Sequence, residues 1–203
     1  MTTYKPRIFA IVPAAGRSRR MGTAKQLLDV GGATMLNSVM APLAAARVAG
    51  IALVTHSGLV NQLAAERFAD TFIALNDDET SDMIDSVRIG LAAWAERETI
   101  RERDGFLVCP ADHPGITTAD FDTCVAAFRD TPDQIVIATR AGKRGHPIIF
   151  PGEFLPFVQS TACDSGLNAL PRAHAQRVLT APCHSTGVTR DVDTPQDYER
   201  TDS

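Results

Sequence analysis

Residues 8–12 (IFAIV) form an uninterrupted apolar run, and residues 13–26 (PAAGRSRRMGTAKQ) open from it at once into a glycine-rich loop. Run and loop together constrain the fold more than any other stretch. Five apolar residues without polar alternation read as a strand buried on both faces, as in parallel sheets covered by helices. The loop carries two glycines, four cations (Arg17, Arg19, Arg20 and Lys25) and no carboxylate. No Asp or Glu occurs before Asp29, although the chain has a net charge of -4. Backbone N–H groups approach phosphate oxygens where side chains are absent, and Arg and Lys supply counter-charge. Ala14, Ala15, Gly16 and Arg17 therefore read as the start of a nucleoside triphosphate site.

The rest of the chain alternates in the same style. A helix is expected over 34–47, with Met35, Leu36, Val39, Met40 and Leu43 on one stripe and a kink or break at Pro42. Strands follow at 51–55, 71–75 and 106–109, separated by a short helix over 59–68 and a helix carrying Ile84, Val87, Leu91 and Trp94. The acidic turn at 76–81 is placed to cap that second helix. Thr117 or Thr118 caps a helix with Phe121, Cys124, Val125 and Phe128 inward. Strands at 135–139 and 146–150 are joined by six residues, too few for a helical crossover, which predicts an antiparallel pair. Asp164 is expected to cap a helix holding Leu167 and Leu170, a strand to follow at 177–180, and Thr194-Pro195 to start a final helix containing Tyr198. The whole reads as one α/β domain over residues 1–203, Rossmann-like and doubly wound, with a mainly parallel sheet and a late antiparallel strand pair. In such sheets ligands bind beyond the carboxyl ends of the strands.

Composition narrows the partners. A pI near 5.7 argues against a general nucleic-acid binder, so the basic N-terminal loop points to a small anionic ligand. No run of about 18 apolar residues exists, so no membrane span is expected. The N-terminus lacks a signal-peptide pattern, and Cys109, Cys124, Cys163 and Cys183 form no Cys-x-x-Cys pair. These features fit reduced thiols in a cytoplasmic protein, and the adjacent pair Cys183-His184 is weak ground for a metal site.

The loop is neither the dinucleotide fingerprint nor a Walker P-loop, since both glycine spacings are missing. Asp112, after the strand at 106–109, is placed to hold Mg²⁺ opposite a triphosphate, with a helix or turn cap as its plainer role. Asp191 and Asp193 share one face if extended, which offers Asp193 as a second Mg²⁺ ligand; neutralising the last helix's first turn is the alternative. Gly145 and His146, in Arg144-Gly145-His146-Pro147, are read as closing the hairpin turn and contacting the acceptor substrate.

In this order Ala-Ala-Gly-x-Ser-x-Arg-Met-Gly, Asp-x-Pro, Gly-His-Pro and Asp-x-Asp-Thr-Pro-x-Asp resemble the molybdenum cofactor cytidylyltransferases of the MobA-like NTP transferase family, over nearly the whole chain. The resemblance implies a fold of nucleotide-diphospho-sugar transferase type and transfer of CMP from CTP to molybdopterin, with pyrophosphate released. It implies Mg²⁺ at Asp112 and Asp193, phosphate contacts from Arg20 and Lys25, and a base or ribose contact from Ser86 in Met83-x-x-Ser86-Val87-x-x-Gly90-Leu91. Relatives that transfer a guanylyl group tend to have Gly-Gly where this chain has Ala15-Gly16, so the cytidylyl branch is favoured. Asp112-His113-Pro114 departs from the family's more usual Asp-Met-Pro, and Asp82 stands where glycine is usual. Val12-Pro13-Ala14-Ala15-Gly16 and Lys25-Gln26 also resemble the cytidylyltransferase that acts on methylerythritol phosphate. A non-catalytic nucleotide- or pterin-binding carrier that hands cofactor to a molybdoenzyme would need the cationic loop but not two metal carboxylates. An oxidoreductase is disfavoured by the missing dinucleotide fingerprint.

Overall fold

The computed structural model describes residues 4–16, 24–63, 68 and 70–199. Its strands are β1 (Ile8–Pro13), β2 (Asp29–Val30), β3 (Ala33–Thr34), β4 (Gly50–Thr55), β5 (Thr71–Leu75), β6 (Gly105–Val108), β7 (Ile135–Arg140), β8 (Lys143–Pro151) and β9 (Val178–Pro182). The helices are α1 (Met35–Ala44), α2 (Ser57–Leu63), α3 (Met83–Arg97), α4 (Thr118–Asp130), α5 (Leu155–Gln159), α6 (Ala169–Ala173) and α7 (Pro195–Glu199). β2 and β3 pair as a small hairpin, and the other strands form a sheet in the order β5-β4-β1-β6-β8-β7-β9.

β1 runs parallel to β4 and β6, β4 parallel to β5, and β7 parallel to β9. β8 alone is reversed, lying antiparallel to both β6 and β7. Helices cover both faces, which is why these strands carry apolar runs rather than clean alternation. In β1, Ile8, Ala10 and Val12 pack into the core beneath α1, α2 and α4, while Phe9 and Ile11 face α3 and α5. The fold class is the one the alternating pattern implies.

Several local expectations shift. The first helix ends at Ala44, with Pro42 inside its last turn, and its start is capped by the Thr34 side chain, which accepts from Asn37 N. The helix expected over 59–68 is seen as Ser57–Leu63, and residues 64–67 lie outside the described ones. The residues expected to close the late hairpin lie in β8 itself. The connection is the two-residue turn Ala141-Gly142, with φ of 50° and 76°, the left-handed pair that suits a two-residue hairpin. Asp164 does not cap a helix: its carboxylate lies 2.7 Å from Arg88 Nη2, and the helix begins later, at Ala169 after Asn168. The acidic turn at 76–81 caps backward, and the forward cap is the residue after it. Asp77 accepts from Ser57 N (2.7 Å) at the start of α2, and Asp82 serves as N-cap of α3.

Two contacts fix the chain after β9 against the sheet's carboxyl edge. Gly145 in β8 lies against the tight turn at Thr186–Val188, and a Cβ there would come within 1.8 Å of the Val188 carbonyl oxygen. Asp120, in the first turn of α4, accepts from His184 N (3.0 Å), Thr117 N (3.1 Å) and Thr117 Oγ1 (2.6 Å). Burial pushes the Asp120 carboxyl up, but these donors outweigh it and hold the pKa at about 2.

Asp120→Asn is therefore expected to lose about 2 kcal/mol at neutral pH. Because the folded pKa lies below the unfolded value of ~3.9, this contribution is complete above that value and is lost as pH falls through about 2. Denaturant titrations between roughly pH 4 and pH 2 should show a shallower acid limb in the variant; an unchanged limb would refute the assignment. Gly145→Ala is expected to cost about 3 kcal/mol, since only backbone stands in the way of the new methyl, and a chemical denaturation midpoint equal to wild type would refute it.

Candidate active site

The loops at the carboxyl ends of β1 and β6 are tied together by the sheet's own hydrogen bonding. Ala14 N donates to Val54 O (2.8 Å), Cys109 N to Ile11 O (3.1 Å) and Ala111 N to Pro13 O (3.1 Å). Between them opens a cavity of about 300 Å³, lined by Ala14, Ala15, Gly16, Lys25, Ser86 and Asp112 among others. All six are residues to which the sequence assigns a role at a nucleotide. Arg17 and Arg20, the remaining members of that set, lie outside the described residues.

Lys25 organises the polar end of this cavity. Its Nζ lies 2.8 Å from Asp112 Oδ2, 2.9 Å from Asp193 Oδ1 and 3.2 Å from the Val192 carbonyl oxygen. Val192 N in turn donates to the Asp112 carbonyl (2.9 Å), so the segment before α7 is pinned across the loop after β6. Burial works against the Lys25 charge, but the coulombic pull and hydrogen bonds of Asp112 and Asp193 prevail and raise its pKa. The Lys25 and Asp112 side chains are 16% and 20% exposed and Asp193 is 51% exposed, so the Asp112 limb is the less screened. Asp191 does not join Asp193. It lines a second cavity instead.

Asp112 and Asp193 offer carboxylate oxygens, with Val192 O beside them, and hard oxygen donors suit Mg²⁺. Asp112 Oδ1 is buried with no hydrogen-bond partner, which leaves acceptor capacity for a cation. The donor set thus fits the ion. Among the described residues no group of three or more His, Cys, Asp or Glu side chains gathers at metal-ligand spacing.

Three buried residues shape the site without having been singled out from the sequence. Gln26, 2% exposed, donates Nε2 to both Ala14 O (2.9 Å) and Gly16 O (2.7 Å), which braces the glycine loop from beneath. Two carbonyls fix its amide orientation, and its buried Oε1 lacks a partner. Asn76 donates Nδ2 to Ser81 Oγ (3.0 Å) and Ser86 Oγ (2.9 Å), holding Ser86 in the cavity wall. His113 donates Nδ1 to Gly187 O (2.9 Å), a direction settled by the carbonyl, and packs edge-on against His146 with ring centroids 4.7 Å apart. The Lys25-Gln26 pair and the unusual Asp-His-Pro were the available sequence signals for two of these. Nothing local marks Asn76.

His146 and Gly145 do not reach the first cavity. They line the second, of about 810 Å³, with His113, Arg144 and Arg172, over apolar side chains including Val87, Val108, Ile137 and Ile148. Burial, with the neighbouring His113 adding to it, pushes the His146 pKa down to about 4, so its imidazole is neutral near pH 7. Asp82 and Met83, at the start of α3, line both cavities and form the partition between them. The acidic run at 77–79 is partly spent on backbone, since Asp77 caps α2 and Asp78 Oδ1 accepts from Thr80 N (2.8 Å) and Thr80 Oγ1 (2.7 Å). The four cysteines are free and buried. No helix among the described residues is long and apolar enough to cross a membrane.

Comparison with known proteins follows the same lines. Over 135 residues the chain is 33% identical to a 2-C-methyl-D-erythritol 4-phosphate cytidylyltransferase from Burkholderia vietnamiensis; the match takes in 66% of this chain and 57% of that protein. Rv0371c from Mycobacterium tuberculosis H37Rv superposes with a TM-score of 0.80 at 25% identity, covering 97% of this chain and 99% of that one. Its complex with manganese superposes at 0.77, with 23% identity over 96% and 97% of the two chains. A nucleotidyl transferase from Methanothermobacter shares the fold at a TM-score of 0.74, with 18% identity over 96% and 95%. Residues 10–178 match the MobA-like NTP transferase domain, and the chain belongs to that family.

Proposed function

We propose that this protein is a nucleotidyltransferase that moves CMP from CTP onto a phosphorylated acceptor, molybdopterin, and releases pyrophosphate. The observation that carries the reading is the convergence of Lys25, Asp112 and Asp193 beside a cavity walled by the glycine loop. Family membership supports the reaction class.

In the proposed reaction an oxygen of the acceptor phosphate attacks the α-phosphorus of CTP. The new P–O bond forms as the bond to the bridging oxygen breaks, and pyrophosphate leaves with that electron pair. The attacking oxygen is already anionic, so the chain needs no nucleophile of its own and no strong base. Its residues position and neutralise instead. Backbone N–H groups of Ala15 and Gly16 meet the triphosphate, with Ala14 in the wall beside them, and Lys25 and Arg20 balance the charge gathering on the leaving group. Ser86, set in place by Asn76, contacts the base or ribose. Mg²⁺, when held by Asp112 and Asp193, supplies further neutralisation at the phosphate oxygens; the manganese complex of the mycobacterial relative supports a divalent ion.

The second cavity takes the acceptor. Arg144 and Arg172, which make no ion pair among the described residues, suit a phosphate, and the apolar wall suits a flat ring better than a polyol. Neutral His146 supplies a hydrogen-bonding group there rather than a charge. A second reading keeps the same chemistry with methylerythritol phosphate as acceptor, favoured by the Burkholderia relative.

Pyrophosphate release, measured with CTP, GTP, ATP and UTP in Mg²⁺ and with each acceptor offered separately, tests both readings. Release with CTP and molybdopterin alone is expected. Release only with methylerythritol phosphate selects the second reading, and no release in any combination refutes the enzyme. Lys25→Ala is expected to lower turnover by roughly 10²–10³, the scale of one preorganised electrostatic donor, and a near wild-type rate would remove that role. Asp112→Asn should shift the Mg²⁺ dependence of turnover to higher concentration while leaving thermal unfolding cooperative. An unchanged Mg²⁺ profile would remove Asp112 from the metal site.

A further inference from the structure

Three oxygens from two distant segments surround Lys25 Nζ: Asp112 Oδ2 at 2.8 Å, Asp193 Oδ1 at 2.9 Å and Val192 O at 3.2 Å. The oxygen side of this cage is held by backbone, through the 2.9 Å bond from Val192 N to Asp112 O. The cation side is a flexible four-carbon stem ending in a point charge. Two carboxylates and a carbonyl are also the donors a hard divalent ion takes. An ammonium 2.8 and 2.9 Å from the two carboxylates repels a metal ion held by the same pair, even with Asp112 Oδ1 left unpartnered, because both positive charges would sit within a few ångströms of each other.

We propose that Lys25 is a built-in stand-in for the metal, and that ammonium and divalent cation exclude each other at the Asp112–Asp193 pair. The inference rests on the reading of that pair as the metal ligands. Without nucleotide, the tethered ammonium neutralises one of the two carboxylate charges and competes with any free ion at high effective concentration. A triphosphate offers the ammonium a new partner, so it leaves the pair, and the carboxylates open to the ion that accompanies the nucleotide. Metal and nucleotide are then positively coupled through one side chain, and each raises the other's affinity by the same factor. Lys25 has two posts in this scheme, on the carboxylates before substrate arrives and on the phosphates afterwards.

The test is Mn²⁺ binding to the full chain, read from the free-ion paramagnetic resonance signal, without any turnover. Without nucleotide, Lys25→Met is expected to bind Mn²⁺ about tenfold tighter than wild type, or about 1.4 kcal/mol. The double variant Lys25→Met with Asp112→Asn should return to weak binding. CTP without acceptor should tighten Mn²⁺ binding markedly in wild type and much less in Lys25→Met. Lys25→Met binding Mn²⁺ no tighter than wild type overturns the exclusion. If wild type still gains Mn²⁺ affinity with CTP in that case, the nucleotide reading survives while this inference falls. If CTP has no effect on Mn²⁺ in wild type, the metal–nucleotide reading itself falls. Thermal unfolding guards against a folding artefact: Mn²⁺ should raise the midpoint of Lys25→Met more than that of wild type, and equal shifts also overturn the proposal.

Discussion

The carboxyl edge of the sheet depends on the return of the C-terminal segment over the loop that follows β6. Val192 N donates to Asp112 O, and Lys25 joins Asp112 to Asp193 across the same junction. Without this crossing, Asp193 would be a solvated residue before a short helix, and Lys25 would have one carboxylate instead of two. Upstream contacts prepare it. Asp120 takes the His184 N–H, and Gly145 admits the backbone of the Thr186–Val188 turn, so the chain leaves β9 already directed toward the edge. His113 completes the seam by donating to Gly187 O. The site is therefore an assembly of the first, middle and last parts of the chain, with β6 carrying the middle part, Asp112, to it.

What could be read from the sequence follows the range of each force. Apolar runs and helical stripes are set by burial within one element, so β1, β4, β5, α3 and α4 were legible, as was the antiparallel relation of β7 and β8. Side-chain partnerships reach across the fold and were not. Asp164 looks like a helix cap, but Arg88 of α3 lies 2.7 Å away and takes the carboxylate. Asp77 looks like a cap for the helix after it, and instead meets the exposed N–H at the start of the helix before it. Asp191 and Asp193 share a face on an ideal strand, yet Asp193 meets Lys25 while Asp191 lines the second cavity. Lys25, Asp112, Asp193 and Ser86 were legible because their motifs sit at loop positions the α/β architecture brings together. Gln26 is marked only by its place in the Lys25-Gln26 pair, and Asn76, which acts on other side chains from within, has no local signature.

The two cavities divide the charge between them in a way that bears on selectivity. The first is closed at its polar end by a lysine between two carboxylates, so an entering anion must contend with negative charge unless it brings a cation. A triphosphate with a bound divalent ion satisfies that condition, and a bare phosphate ester does not. The second cavity is mixed in charge: Arg144 and Arg172, which make no ion pair among the described residues, share its wall with Asp82, Asp191 and an Asp164 already engaged by Arg88. Asp82 and Met83 stand between the two cavities, so ligands held in both would lie on opposite sides of one partition.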